Sequence, residues 1–198
     1  MAIIRGQIEC SVFSKVILIL PVAACFVFAI SVRAQSSEMN QSYETAIASL
    51  SENSERSRVA SAIAVLESAG TKAFPALLAH LEDTTKASST FQRAVMEVDP
   101  SGNATLHHPT IGEACFDLIQ NQVEGNWPKA YRQYYVLSPG NVVSWWQSRR
   151  DRSLQELKIE TARASLAQAR QHRGQPQYSA DAVRFLEAHL KEVSGAKK

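Results

Sequence analysis

An apolar run near the N-terminus most constrains this chain, because it removes the first residues from the folded protein. The run Val16 to Ile30 carries no charge, and it follows Arg5 and Lys15. Small residues then precede Gln35, as a signal peptidase requires. The pattern predicts a secretory signal peptide over residues 1–34, cleaved near Ala34, and a mature protein in the periplasm or outside the cell.

Two other fates of this segment stay open at the level of sequence. The uncharged residues extend from Val16 to Val32, which approaches the length of a membrane span, so the segment could be retained as an anchor. Val22 to Cys25 resembles the lipobox of bacterial lipoproteins, in which the cysteine is acylated, although the residues after Cys25 stay apolar. Either alternative tethers the domain to a membrane.

The cysteine content limits how the mature chain can be stabilised. Removal of the signal leaves 164 of the 198 residues, enough for one domain with a substantial core. Of the three cysteines, Cys10 and Cys25 lie in the signal, which leaves Cys115 alone. The mature chain therefore has no internal disulfide and must be held together by packing.

Charge is distributed unevenly along the mature chain. The signal contains three of the 21 Lys and Arg and one of the 19 Asp and Glu, so 18 charges of each sign remain. Residues 35–124 hold 5 basic and 12 acidic groups, whereas residues 125–198 hold 13 basic and 6 acidic groups. Such polarity favours docking of the two halves or binding of an acidic partner.

Helical periodicity begins after a polar stretch. Residues 35–56 are rich in Ser, Glu and Asn and are predicted to be a flexible tether, with a short helix possible over Tyr43 to Leu50. Val59, Ile63 and Leu66 then recur at i, i+4 and i+7, and Gly70 ends the pattern. We predict a single helical domain over residues 57–195.

A second amphipathic helix follows this glycine. Phe74, Leu77, Leu78 and Leu81 form a core-facing stripe, and Pro75 lies in the first helical turn, where a missing N–H is tolerated. Because the link between the two helices is so short, we expect them to run antiparallel.

The run from Val65 to Asp83, VLESAGTKAFPALLAHLED, resembles the helical hairpin of the HEAT-repeat family. In that family the first helix ends at a small-residue turn, and the second begins with Ala-x-Pro and ends in Leu-x-Asp. The clear match covers residues 57–83, with a partial second match at 110–123. The resemblance implies a HEAT-like region over 57–123 that binds other macromolecules and does not catalyse.

The remaining segments complete an all-α fold class. Apolar residues that flank Asp99 to Asn103 predict a β-hairpin inserted over 88–108. Thr110 with Glu113, and Ser153 with Glu156, are capping boxes that begin helices. With C-terminal helices over 141–195, the last of them capped by Ser179, we expect about six helices and one hairpin.

Chemically reactive side chains are concentrated between His107 and Asp117. His107, His108, Glu113 and Cys115 are zinc-ligand types, but the capping box engages Glu113, and Cys115 lies on an apolar helix face. The chain contains no Gly-x-Ser-x-Gly and no Gly-rich phosphate loop. We therefore expect no metal, no cofactor and no catalytic residue.

The strongest candidate for binding is an aromatic and basic run. Trp145 and Trp146 precede Arg149 and Arg150, and Trp and Arg dominate interface energetics. Adjacent helical residues point about 100° apart, so we do not expect one surface to bury both tryptophans. These four residues are the predicted contact to a protein partner; a nucleic-acid partner is not expected for an exported protein.

These features predict an exported, non-catalytic helical binding or scaffold protein. One alternative is an immunity or inhibitor protein that caps a cell-envelope hydrolase, with the acidic front half mimicking substrate charge. A second alternative is a cell-envelope enzyme that uses residues 107–117.

Overall fold

The computed structural model describes residues 38–91, 96–98, 101–102, 104–175 and 179–195. The predicted signal peptide, residues 1–34, lies outside them. Within the described ranges, no helix combines the length and apolarity needed to cross a membrane. The packing described below lies within Ser42–Lys198.

Ordered packing begins earlier in the chain than the sequence predicts. Helix α1 covers residues 38–48, and Tyr43, Ile47 and Leu50 are buried members of the main core. The predicted tether over 35–56 is therefore wrong for this stretch. Three apolar side chains at i, i+4 and i+7 are sufficient to dock a polar helix on one face.

Helices α2 (Arg56–Ala69) and α3 (Phe74–Ala79) follow, separated by a 3-10 turn at Gly70–Lys72. Gly70 has a φ of 58°, which explains why glycine ends α2. Thr71 does not cap α3, because Ala73 occupies the N-cap position without a side-chain bond. Pro75 lies in the first turn of α3, as predicted.

A short two-stranded sheet lies between α3 and the next helix. Strands β1 (Met96–Val98) and β2 (Ala104–Leu106) pair antiparallel with Glu97 opposite Thr105. They fall in the segment for which the sequence predicts a hairpin. Apart from these strands, the described chain is largely helical, which agrees with an all-α class.

Helix α4 (Ile111–Val123) is the most buried element, and it packs against α2, α3 and a later helix, α6. Its predicted capping box is confirmed: Glu113 N–H donates to Thr110 Oγ1 at 3.2 Å, and Thr110 N–H donates to Glu113 Oε2 at 2.8 Å. Because it is apolar over most of its circumference, the helix is covered from several sides.

The C-terminal part contains a 3-10 helix, Lys129–Tyr134, and helices α5 (Val142–Gln147), α6 (Leu154–Gln171) and α7 (Ala180–Val193). The capping box that begins α6 at Ser153 is confirmed, as is the cap of α7 by Ser179. Helix α5 and Leu157 join the main core. A smaller C-terminal core packs Trp127 and Tyr134 against Leu166 and Leu186.

Candidate partner-binding groove

The two predicted contact tryptophans lie in the core. Trp145 is 7% exposed and Trp146 is 6% exposed. Trp146 packs edge-on against Phe74 of α3, with ring centroids 5.1 Å apart. The guanidinium of Arg149 covers Trp145 at 5.2 Å from the ring centroid. Both rings are buried, and different groups cover them, so no single surface buries the two tryptophans.

The arginines after α5 separate into two groups. Arg149 Nε donates to Glu160 Oε1 of α6 at 2.7 Å, and the Arg149 Nη1 group donates to the Trp145 carbonyl at 3.1 Å. Arg152 lies 3.5 Å from the other oxygen of Glu160. Arg150 turns away from this cluster and lines a groove. Glu160 therefore engages two of the three arginines and leaves the third for the surface.

We call this surface the α3/α5 groove. Its volume is about 600 Å³, and its walls are formed by the turn before α3, by α3 and by α5, namely Thr71, Lys72, Pro75, Leu78, Ala79, Val143, Trp146, Gln147 and Arg150. Val143 is 43% exposed within this lining. Among the described residues, no acidic side chain lines the groove. It is therefore an apolar surface with cations at its rim.

Of the four predicted contact residues, the structure thus brings two to this groove. Trp146 contributes its floor and Arg150 its rim, whereas Trp145 and Arg149 belong to the contact with α6. The sequence analysis missed Lys72, Leu78 and Val143. No local pattern in the sequence indicated these residues, because their place in the groove depends on how α3 and α5 come together.

A second groove surrounds the residues proposed for catalysis. Its volume is about 450 Å³, and it is lined by Leu81, Glu82, Phe91, His107, Pro109, Gly112, Glu113, Phe116, Asp117 and Pro139. His107 Nε2 lies 2.9 Å from Glu113 Oε2. The same carboxylate accepts the Thr110 N–H of the capping box, so its position is fixed by the start of α4.

Cys115 does not join these side chains. It is fully buried in the main core, and burial raises the pKa of its thiol to about 12, with smaller contributions from Asp83 and Glu44. The nucleophilic form of cysteine is the thiolate, which this environment disfavours. In the parts of the chain that the structure describes, no three His, Cys, Asp or Glu side chains are grouped to hold a metal ion.

Glu124 is a buried charge that the sequence analysis missed. It is 0% exposed, and its Oε1 accepts the Val136 N–H at 2.6 Å. Burial raises its pKa to about 7, although the hydrogen bonds from Val136 and Leu137 act in the opposite direction. Because Val136 and Leu137 precede α5, this carboxyl group ties the end of α4 to the segment that leads into the groove.

His80 forms a further tie, between α1 and the end of α3. Its Nε2 lies 2.7 Å from Glu44 Oε2, and its Nδ1 lies 3.5 Å from Asp83 Oδ2. The hydrogen bond with Glu44, supported by Asp83, raises the pKa of His80 against the effect of burial. Glu44 is 36 residues away in the chain, so this contact depends on the tertiary structure.

Comparisons of this chain with protein-family models, with curated proteins and with solved structures found no match. Its function therefore has to be inferred from its own geometry.

Proposed function

We propose that this chain is an exported, non-catalytic helical binding protein, and that the α3/α5 groove holds its protein partner. The observation that supports this most directly is the apolar lining formed by half-buried Leu78, exposed Val143 and Trp146. Apolar patches on soluble proteins mark interaction sites when they are concave and have a polar rim.

The chemistry of the groove favours binding over catalysis. Its polar side chains are those of Thr71, Lys72, Gln147 and Arg150. A nucleophilic mechanism needs a base within hydrogen-bond reach of the nucleophile, and none of the described residues that line this groove is a carboxylate or an imidazole. In the second groove, His107 and Glu113 pair with each other while Cys115 lies in the core.

The architectural part of the proposal is a HEAT-like hairpin formed by α2 and α3. Two observations support this part: Gly70 ends α2 with a positive φ, and Pro75 lies in the first turn of α3. A helical hairpin of this kind buries one face and leaves the other for a partner. Helix α3 contributes to the core through Phe74 and to the α3/α5 groove through Leu78.

Site-specific photo-crosslinking in the native host tests the proposal. A photoreactive amino acid at Val143 should capture a discrete partner, because this side chain is 43% exposed inside the groove. The matched control is Val65 of α2, which is 41% exposed and is not part of the groove lining. If both positions give the same adducts, or neither gives any, the groove is not the binding surface.

Export is a separate element of the proposal, and it rests on the sequence pattern of residues 1–34. Mass spectrometry of the mature N-terminus distinguishes its forms. An N-terminal Gln35 supports cleavage after Ala34. An acylated Cys25 would show a lipoprotein instead, and an intact Met1 or Ala2 would show a retained segment.

A further inference from the structure

The ion pairs around α5 leave a defined cationic rim on the α3/α5 groove. Arg149 and Arg152 both pair with Glu160, and Arg170 pairs with Glu187. Among the described residues, Lys72 and Arg150 have no ion-pair partner. Both line the groove and both are exposed. The rim therefore carries two positive charges that the fold does not neutralise.

No acidic side chain of the described chain offsets these charges at the groove. Asp151 follows Arg150 directly, yet it is not among the lining residues. The carboxylates nearest in the sequence to Lys72 are Glu67, on α2, and Glu82, which lines the other groove. The potential inside the α3/α5 groove is consequently positive, and a carboxylate that enters it is attracted.

The floor of the groove requires a different chemistry from its rim. Leu78 is half-buried, Val143 is 43% exposed, and Trp146 lines the groove with them. An apolar side chain placed there would remove these surfaces from water, which is favourable. A small inorganic anion satisfies the rim and leaves this floor exposed.

We propose that the α3/α5 groove binds an acidic peptide segment in which one large apolar side chain is flanked by at least two Asp or Glu residues. The apolar side chain occupies the floor, and the carboxylates pair with Lys72 and Arg150. This inference rests on the proposed binding function and specifies the class of its partner. The positive charges of Lys72 and Arg150 favour an acidic segment over a basic or neutral one.

Selection from a random 12-residue peptide library displayed on phage tests the proposal, with the full chain as the target. Enriched peptides should carry two or more acidic residues within a few positions of Leu, Ile, Phe or Trp. Their affinity should fall as salt is raised from 50 to 500 mM, on the basis of screening at about 10 Å in 0.1 M salt.

Substitutions then assign binding to the groove. The double variant Lys72→Gln/Arg150→Gln should weaken an enriched peptide about tenfold, because it removes both of the exposed ion pairs that hold the acidic side chains. The matched control is Arg163→Gln/Lys191→Gln, which removes two exposed cations elsewhere and should change affinity less than twofold. Val143→Asp should weaken the same peptide by more than tenfold.

The outcomes separate this inference from the function on which it rests. Neutral or basic peptides that lose binding in Val143→Asp would overturn the acidic class and leave the groove as the binding surface. If the enriched peptides bind Val143→Asp as well as the unaltered chain, or if no peptide is enriched, both the acidic-peptide inference and the groove as binding surface are overturned. Self-association abolished by Val143→Asp would identify a second copy as the occupant. Binding to phosphatidylglycerol vesicles that depends on Lys72 and Arg150, without acidic peptides, would identify a lipid instead.

Discussion

Replacement of Gly112 by alanine should destabilise the protein strongly, because the start of α4 touches the turn after α3. A Cβ atom at this position would lie 2.1 Å from the carbonyl oxygen of Leu81 and 2.8 Å from its carbonyl carbon. Real Cβ contacts essentially never fall below 3.0 Å, so the two segments must separate by about 1 Å. The neighbouring atoms belong to the backbone, and no side-chain rotation can relieve the clash.

The magnitude follows from the bonds that hold this contact. The Gly112 N–H donates to Asp83 O at 2.9 Å, and the Ile111 N–H donates to Thr85 O at 2.8 Å. Separation costs about 1 kcal/mol for each bond weakened, together with about 1–3 kcal/mol of overpacking strain. Alanine returns up to about 1 kcal/mol through its higher helix propensity. We expect a net loss of about 2–4 kcal/mol.

Urea unfolding followed by far-UV circular dichroism measures this loss, and thermal melting provides a second readout. For a chain of this size, the expected loss lowers Tm by roughly 4–16 °C. The control is Gly140→Ala, since no atom lies within 4 Å of the added Cβ, and its stability should change by less than about 0.5 kcal/mol. If Gly112→Ala and Gly140→Ala unfold at the same urea concentration, the close approach of α4 to this turn is refuted.

Three further substitutions test the buried and paired groups. Glu124 has a raised pKa of about 7, so its contribution to stability is full below about pH 4.5 and is lost as pH rises through 7. Glu124→Gln should remove this part of the pH dependence of Tm, which corresponds to about 3 kcal/mol at most. An unchanged pH profile would contradict the raised pKa of Glu124. Trp146→Ala should lower the free energy of unfolding in urea by about 3–5 kcal/mol, because it truncates a core side chain. The control Val143→Ala should lower it by less than about 1 kcal/mol. Equal losses would place the tryptophan on the surface. NMR titration should give His80 a pKa above 6.5, and this pKa should fall in Glu44→Gln. The contribution of His80 to stability is full below pH 6.5 and is lost as pH rises through the pKa of the folded state. An unaltered titration in Glu44→Gln would show that Glu44 does not raise the pKa of His80.

Local chemistry in this chain could be predicted from the sequence because its causes lie within a few residues. A capping box needs a hydroxyl and a carboxylate three positions apart, and both predicted boxes form. The helical stripes of α2 and α4, the stop at Gly70 and the cap of α7 by Ser179 have equally short range. These features establish a helical protein, and the N-terminal pattern indicates export.

The remaining features depend on contacts between segments that are distant in the chain. The polar segment before α2 docks through Tyr43, Ile47 and Leu50. These side chains stabilise the protein only because other helices supply the surface that buries them. Glu124 can be buried because the backbone N–H groups of Val136 and Leu137 donate hydrogen bonds to its carboxylate. Tertiary structure likewise decided the candidate site: Glu160 of α6 engages Arg149 and Arg152, whereas Arg150 is left beside Lys72. Ion-pair competition and burial are properties of assembled surfaces, so the residue types alone could suggest a basic-aromatic site but not which of its members face a partner.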